Sequence, residues 1–319
     1  MEKKLYAIGE ALIDFIPQES GRPMKDVLGF CPKVGGAPAN VCGAFTRLGG
    51  KSEMITQLGD DPFGDKIEEA MEENGIGTSH VLRTKEANTS LAFVALKEDG
   101  NREFSFYRKP GADMLFSKEK VEVDWFKDAY ALHFCSVSLG DFPMKEAHKK
   151  AIEAATEAGA IISFDPNLRM ALWENPEDLK KAVLEFLPLA HILKLSDEEL
   201  YFLTGEDSIE TAKEKLFVGN VRLLIYTKGA DGAECYTKKA KAQSKGEKVK
   251  AVDTTGAGDA FIGSFLHQLY VDKVNVTRLD KLSADKMRSY LVFSNRYCAK
   301  SVQKAGAIAS YPTMDDMEE

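Results

Sequence analysis

Four apolar runs, YALHFC (130–135), AIISF (160–164), HILKL (191–195) and VRLLIYT (221–227), recur at nearly even spacing through the middle of the chain. Each is short enough for a strand, and β-branched or aromatic residues dominate them. Between them lie longer stretches of helical periodicity that open at Pro143, Pro176 and Asp197. Proline is well suited to a first helical position, where its missing N–H has no partner to lose. The pattern predicts helices over 143–158, 176–187 and 197–216, the last broken near Gly205. Strand, helix, strand at this rhythm needs crossover connections, so the expected class is α/β with a mostly parallel sheet covered on both faces.

Toward the N-terminus, a strand is expected over Lys4 to Gly9 and a second apolar run over Leu12 to Ile16, with Asp14 inside it. Val41, Ala44, Phe45 and Leu48 recur at helical spacing from Pro38 and stop at Gly49-Gly50, which predicts a short helix. A strand over 52–57 and a helix from Pro62 to Asn74, closed by Gly75, follow. Residues 89–96 and 103–107 then alternate around the turn Glu98-Asp99-Gly100-Asn101, the pattern of a hairpin with no helix of its own to cover it. Such a pair among α/β units suggests a lid, and an open apolar face on it favours a second copy of the chain. Toward the C-terminus, Lys238 to Lys250 reads as a solvated loop, and helices are expected over 257–270 and 283–304. The expected organisation is one α/β body over residues 1–319, a three-layer α/β/α arrangement, with lid segments at about 10–34 and 88–112.

The 319 residues are 44% hydrophobic, enough for a large core, which excludes disordered and small disulfide-built classes. Forty-two Lys plus Arg against fifty Asp plus Glu leave a charge of −8, which disfavours nucleic acid or an anionic membrane as partner. Glu10 and Asp14 interrupt the apolar stretch a signal peptide needs, and no apolar run reaches about 18 residues. A cytoplasmic protein is expected. Five cysteines with no CxxC pairing read as buried or partly buried free thiols in a reducing compartment.

The densest chemistry lies in Asp253-Thr254-Thr255-Gly256-Ala257-Gly258-Asp259-Ala260-Phe261, a turn of small residues opening into an apolar helix. Backbone N–H groups of Gly256, Ala257 and Gly258 at a helix start form an anion hole, and Asp259 stands beside it. Capping alone would need one Thr or Asp; two glycines, two threonines and two aspartates exceed that need. There is no Walker A loop, and GAGDAF carries only part of the dinucleotide fingerprint. An aspartate against a phosphate site suits phosphoryl transfer to a hydroxyl, with the carboxylate accepting the proton. A second constellation, Gly35-Gly36-Ala37-Pro38-Ala39-Asn40, allows close backbone approach and offers an amide to hydroxyls; a Pro-initiated turn explains it equally well.

Together these two motifs resemble the signatures of the ribokinase-like, or pfkB, carbohydrate kinases. The resemblance continues in order through GEALIDF (9–15), GGAPANVCGAFTRLG (35–49), the Gly59-Asp60-Asp61-Pro62-Phe63-Gly64 turn, FYRKPGAD (106–113), FDPNLR (164–169), SDEE (196–199), TKGADGA (227–233), DTTGAGDAF (253–261) and Lys304-Ala305-Gly306-Ala307. It implies Asp259 as catalytic base, with Gly256, Ala257 and Gly258 as the anion hole. It implies sugar contacts from Asp14, Gly35, Gly36, Asn40, Phe106, Arg108 and Arg169. Thr227, Gly229, Gly232, Asn295 and Gly306 would lie near the nucleotide. Glu199 matches the glutamate that governs Mg²⁺ through water, although Ser196 stands where the family has asparagine. Asp253 and Thr255 resemble part of a monovalent-cation site, for K⁺. ATP and Mg²⁺ are the implied cofactors; the homodimer through the β lid is expected from the uncovered 89–107 hairpin.

Within the family, GEALIDFIP, HFCSVSL (133–139) and FYRKPGAD are most similar to fructokinases, which implies ATP and D-fructose giving ADP and D-fructose 6-phosphate. A 2-keto-3-deoxygluconate kinase and a ribose or nucleoside kinase are the alternatives; Ser136 and Ser138, where ribokinases carry a glutamate, tilt against ribose. A non-catalytic sugar- or nucleotide-binding protein and a Rossmann-type oxidoreductase are the alternatives of other classes. Elsewhere the sequence reads blandly. His133 is expected as a satisfied core histidine, Trp125 and Trp173 as packing anchors, Cys135 as an inward strand residue, and Asp197 and Glu198 as acidic enrichment at a helix start.

Overall fold

The computed structural model describes residues 2–19, 21–96 and 102–318; the 98–101 turn lies outside them. Strand β1 (Lys4–Ile8) is the hub of the larger sheet. Its side chains alternate between two cores, Leu5 and Ala7 on one face and Tyr6 and Ile8 on the other. A parallel strand apolar on both faces must be buried on both, and helices provide the cover. On one side of β1 run β4 (Ser52–Gly59) and β5 (Ile76–Thr84). On the other run β8 (Ala129–Cys135), β9 (Ile161–Asp165), β10 (Ile192–Ser196) and β11 (Leu223–Thr227), all parallel. The expected α/β class, with its mostly parallel sheet, is what the chain forms.

One face of this sheet is covered by α1 (Ala37–Arg47), α7 (Ala257–Val271) and α8 (Ala284–Ser301), with α2 (Pro62–Glu73) beside them against β5. The other is covered by α3 (Pro143–Glu157), α4 (Pro176–Phe186), α5 (Asp197–Thr204) and α6 (Ile209–Leu216). Gly205, at φ 71°, is the left-handed C-cap that separates α5 from α6, where the break was expected. The order of strands reverses between β1 and β8, and at such a switch point the strand C-termini leave a crevice.

A second sheet of four strands joins β2 (Leu12–Pro17), β3 (Phe30–Gly35), β6 (Leu91–Leu96) and β7 (Arg102–Tyr107) in the order β3-β2-β6-β7. The expected hairpin of residues 89–107 is therefore not an open pair: β6 runs parallel to β2, with Ile13 beside Leu91 and Phe15 beside Phe93. On that face Phe15 stacks on Phe93 at 4.5 Å, and Phe63 from α2 meets Phe15 edge-on at 5.7 Å.

Sequence patterning missed β3, β5, β12 (Ala233–Tyr236) and β13 (Lys241–Ser244). The Lys-rich 238–250 segment is thus not wholly loop; β13 closes one edge of the large sheet antiparallel to β12. An edge strand has one solvated side, and lysine there blocks pairing with other chains, so its composition mimics a loop. A short helix, α9 (Met314–Glu318), ends the described chain. The cysteines are free, but Cys31 is exposed on β3, contrary to the expectation of buried thiols throughout. Among the described residues no helix is long and apolar enough to cross a membrane.

Candidate active site

Gly256 caps α7 in the left-handed region, at φ 73°, and no side chain caps the helix. A Cβ on it would lie 2.6 Å from the Tyr311 hydroxyl and 2.8 Å from Ala307 Cβ, so glycine is required both by conformation and by space. The capping reading of the acidic, Thr-rich turn fails here. Asp253 instead ties the loop together, its carboxylate accepting from the Thr255 N–H at 2.9 Å, the Thr255 hydroxyl at 2.7 Å and the Gly306 N–H at 2.9 Å. The first turn of α7 keeps donors with no intrahelical acceptor, an effective charge of about +0.5. One expected donor is diverted: the Ala257 N–H points back to the Thr254 carbonyl at 3.2 Å. The N–H groups still open to an anion would therefore be those of Gly258 and the residue after it.

Asp259 lies in that turn at 6% exposure. Asn40, from the first turn of α1, donates Nδ2–H to its Oδ2 at 2.9 Å, and the Asn167 amide approaches its Oδ1 at 3.4 Å. Burial pushes the Asp259 carboxyl up to about 6; the Asn40 hydrogen bond opposes the rise, the Asp165 charge adds to it, and Arg169 and Lys194 pull it back. A carboxylate so placed is ionised at neutral pH yet basic enough to take a proton. Arg169 itself is exposed, its guanidinium also donating to the Leu168 carbonyl at 3.1 Å.

Beneath α7, Lys194 of β10 donates to Asp165 at the end of β9 at 2.7 Å, both essentially buried. Burial disfavours the ammonium, but Asp165, Glu199 and Asp259 more than offset that and hold its pKa above the ordinary lysine value. A Cβ on Gly258 would sit 3.1 Å from Lys194 Nζ, so the ammonium lies directly against the start of α7. Sequence reasoning missed Lys194, Asp165 and Asn167. The signal was present: Lys194 is the one charge inside the apolar run HILKL (191–195), and a buried lysine demands a partner. Asn167, at φ 45°, adopts the left-handed conformation that asparagine tolerates, which turns its amide toward Asp259.

Glu199 is buried, and its two oxygens accept the Leu168 N–H at 3.0 Å and the Ser196 N–H at 2.8 Å, while Ser196 Oγ accepts from the Glu199 N–H at 3.3 Å. Ser196 and Glu199 thus form a capping box that also fixes the 165–169 loop. Burial and the Asp165 charge raise the Glu199 pKa. His133 is the expected satisfied core histidine, sharing a hydrogen bond with Ser163 at 3.0 Å and held neutral by burial, its pKa lowered to about 3.

The remaining candidates occupy two further places. At the root of the small sheet, a Cβ on Gly35 would meet the Asp14 carboxylate, and one on Gly36, at φ 114°, would lie 2.5 Å from the Glu10 carbonyl. Arg108, one residue past β7, is buried against Asp113, with Nε 3.0 Å from Oδ2. Phe106 lies half-buried on β7, stacked on Phe104 at 5.8 Å. At the other end of the crevice, Thr227 closes β11 with its hydroxyl on the Leu195 carbonyl at 3.3 Å, and Gly229 and Gly232 turn the chain into β12. Asn295 holds the Ser244 and Lys245 carbonyls at 3.4 and 3.2 Å; one turn on, Cys298 touches the Ala257 carbonyl at 3.2 Å. Thus α8 links the β12–β13 hairpin to the α7 turn.

Residues 2–314 match the family described as pfkB family carbohydrate kinase. The chain belongs to the pfkB family. Its relatives include "Probable fructokinase-4" of Arabidopsis thaliana, 41% identical over 99% of this chain and 96% of that protein. Among solved structures, fructokinase with bound ATP from Xylella fastidiosa superposes with a TM-score of 0.91 at 35% identity, covering 100% of this chain and 98% of that one. Fructokinase from Vibrio cholerae O395, in a form with fructose, ADP and calcium ion bound, gives 0.86 at 31% identity over 99% and 98%. The pfkB match makes the buried Asp259 and the helix turn beside it parts of a sugar kinase.

Proposed function

We propose that this pfkB kinase is an ATP-dependent fructokinase, forming D-fructose 6-phosphate and ADP. Fructokinases stand among its relatives over nearly the full length, and the neighbouring structures hold ATP in one case and fructose with ADP in the other. The observation that carries the mechanism is the Asp259 carboxylate, buried beside the open start of α7 and oriented by Asn40. Asp259 takes the proton of the fructose 6-hydroxyl as that oxygen attacks the γ-phosphorus; the bond from γ-phosphorus to the bridging oxygen breaks, and ADP leaves. The N–H groups of the α7 turn and the Lys194 ammonium stabilise the charge on the transferring group.

Near Asp259 and Lys194, Asn40 Oδ1 and Asp165 Oδ1 are buried without a hydrogen-bond partner, as is Ser136 Oγ. Asp14, Gly35, Gly36, Asn40, Phe106, Arg108 and Arg169 form the sugar side of the proposal. Thr227, Gly229, Gly232, Asn295 and Gly306 form the nucleotide side. Among the described residues no group of three or more His, Cys, Asp or Glu could hold a metal, and both Glu199 oxygens are committed to backbone N–H groups. Mg²⁺ would accordingly sit on the nucleotide phosphates, with Glu199 acting through water, and would supply neutralisation of phosphate charge. K⁺ beside the Asp253–Thr255 loop belongs to the same proposal.

The small sheet is proposed as a lid on one body of residues 1–319, and as the seat of a homodimer. Phe15, Phe30, Phe93 and Tyr107 cluster on one of its faces, and Tyr107 is 66% exposed. A monomeric mass at micromolar concentration counts against the dimer. A cytoplasmic setting accords with five free cysteines. The activity is tested by ADP release with Mg²⁺ over fructose, ribose, 2-keto-3-deoxygluconate and nucleosides, with Asp259→Asn as control. No fructose-dependent ADP release, or full activity in Asp259→Asn, overturns the reading.

A further inference from the structure

The small sheet leaves and rejoins the body at four places in the chain, 9–11, 35–37, 88–90 and 108–112, and one buried chain of hydrogen bonds touches all four. Glu10 Oε1 accepts the Ala37 N–H at 3.3 Å, just inside α1, and Glu10 Oε2 accepts the Ser138 hydroxyl at 3.2 Å, just past β8. Ser138 Oγ in turn accepts from Arg108 Nη2 at 3.4 Å, and Arg108 Nη1 reaches the Val137 carbonyl at 3.4 Å. Arg108 pairs with Asp113, and Asp113 accepts the Ser90 hydroxyl at 2.5 Å at the start of β6. The Ser90 carbonyl closes the ring by accepting the Ile13 N–H of β2 at 3.2 Å. Glu10, Ser90, Arg108, Asp113 and Ser138 are all at or below 7% exposure.

We infer that Glu10 is a positioning residue that couples the lid to the holder of the catalytic base. Through Ala37 it anchors the first turn of α1, and three residues later that turn presents Asn40, the donor that orients Asp259. Through Ser138 and Arg108 it grips the root of the lid. A shift of the lid root therefore reaches Asp259 along bonded neighbours, and the reverse holds by linkage. This inference rests on the lid and sugar-kinase reading given above.

The charge count explains why Glu10, not Asp113, is the adjustable member. Two carboxylates share one guanidinium, and Asp113 takes it directly. Burial pushes the Glu10 carboxyl up to about 7, with Arg108 opposing and Asp113 adding to the rise. From β8 the neutral Cys135 thiol also faces it, while Gly36, Ala37 and Pro38 of the α1 start bring no titratable group. Near neutrality Glu10 exchanges between accepting from Ser138 and donating to it. Glutamine at this position keeps one acceptor and one donor but cannot titrate.

The test compares wild type, Glu10→Ala and Glu10→Gln. Amide hydrogen exchange, read without substrate, should rise about 10-fold in β2 and β6 of Glu10→Ala and stay unchanged in β8 to β10. In kinetics, the KM for fructose should rise about 10-fold in Glu10→Ala while that for ATP moves less than about 2-fold. Glu10→Gln should recover most of that loss and flatten the dependence of the fructose KM on pH near 7. Unchanged lid exchange in Glu10→Ala, or the two KM values rising in parallel, overturns the inference. Should Glu10→Ala not fold, a Glu10→Gln profile of fructose KM against pH that matches wild type overturns it alone. Wild type without fructose-dependent ADP release defeats the kinase reading, whereas the exchange result still decides the coupling of Glu10 to the lid.

Discussion

Two buried charge clusters, one under α7 and one at the root of the small sheet, are built alike and used differently. Each sets a single cation among more carboxylates than it can neutralise. Under α7, Lys194 is taken by Asp165, and Asp259 is left to the neutral amides of Asn40 and Asn167. At the lid root, Arg108 is taken by Asp113, and Glu10 is left to the Ala37 N–H and the Ser138 hydroxyl. In both, burial lifts the carboxyl without its own cation, to about 6 for Asp259 and about 7 for Glu10. The difference lies in what each faces. Asp259 stands beside the open, partly positive start of a helix, where a phosphate can come; Glu10 is enclosed between chain segments that cross from body to lid. On the proposed reading, the same electrostatic arrangement serves as a base in one place and as a joint in the other.

The comparison breaks most visibly at Asp259. Asp259→Asn should lower kcat by about 10² to 10⁴. It should not lower stability. The folded carboxyl titrates at about 6 against an ordinary 3.8, so between those values the folded state binds the extra proton and stability falls as pH rises through the window. An amide abolishes that fall, and denaturant midpoints at pH 7 should be equal to wild type or higher. A variant that keeps kcat would place the base elsewhere.

Next in size are the two ion pairs. Removing one partner of a buried pair strands the other charge and destabilises by about 3–5 kcal/mol. Lys194→Ala and Arg108→Ala should both fall in that range by urea unfolding. They should differ in function: Lys194→Ala is expected to depress kcat, and Arg108→Ala chiefly to raise the fructose KM. Equal effects on both constants in both variants would erase the distinction between a reaction cluster and a joint.

Asn40→Ala sharpens the Asp259 half. Its hydrogen bond favours the ionised carboxylate, so its loss should move the acid limb of kcat/KM upward from about pH 6, along with about a 10-fold loss of rate. An acid limb that stays in place would show that Asn40 orients the sugar but not the base.

The sequence made the α/β alternation legible because buried parallel strands such as 191–195 are apolar on both faces and stand out from helices by length. It did not reveal β5 or β13, edge strands whose solvated sides carry polar residues. At the site, Asp259 and the glycine turn were legible as an excess over what capping needs. Lys194, Asp165 and Glu10 were not assigned, since each acquires meaning from a partner far along the chain: Asp165 lies 29 positions from Lys194, and Ser138 lies 128 from Glu10. The Gly59–Gly64 turn was visible only as part of a resemblance. Its physical work appears in space, where Asp61 caps α2 and also takes the Thr89 N–H at 2.8 Å.

That turn supplies the smallest and most discriminating test. Asp61 accepts from Phe63 and Gly64 at 3.1 and 2.9 Å, and a Cβ on Gly59 would lie 2.6 Å from the Thr89 nitrogen, so the start of the lid segment is clamped against α2. Burial would raise the Asp61 pKa, yet the Thr89 and Gly64 N–H groups overcome it and lower the pKa below the usual carboxylate value. A lowered pKa means that the clamp contributes stability above the unfolded value of 3.8 and loses it as pH falls through the folded one. Asp61→Asn should keep part of the clamp, and Asp61→Ala should lose about 1–2 kcal/mol at neutral pH. Because Asp61 touches neither Glu10 nor Asp259 and bonds Thr89, one residue outside the chain that begins at Ser90, its loss should loosen the lid segment in hydrogen exchange while leaving the kcat/KM acid limb where it was. An acid limb that moved would mean that any loosening of the lid reaches Asp259, and that the Glu10 route is one among several.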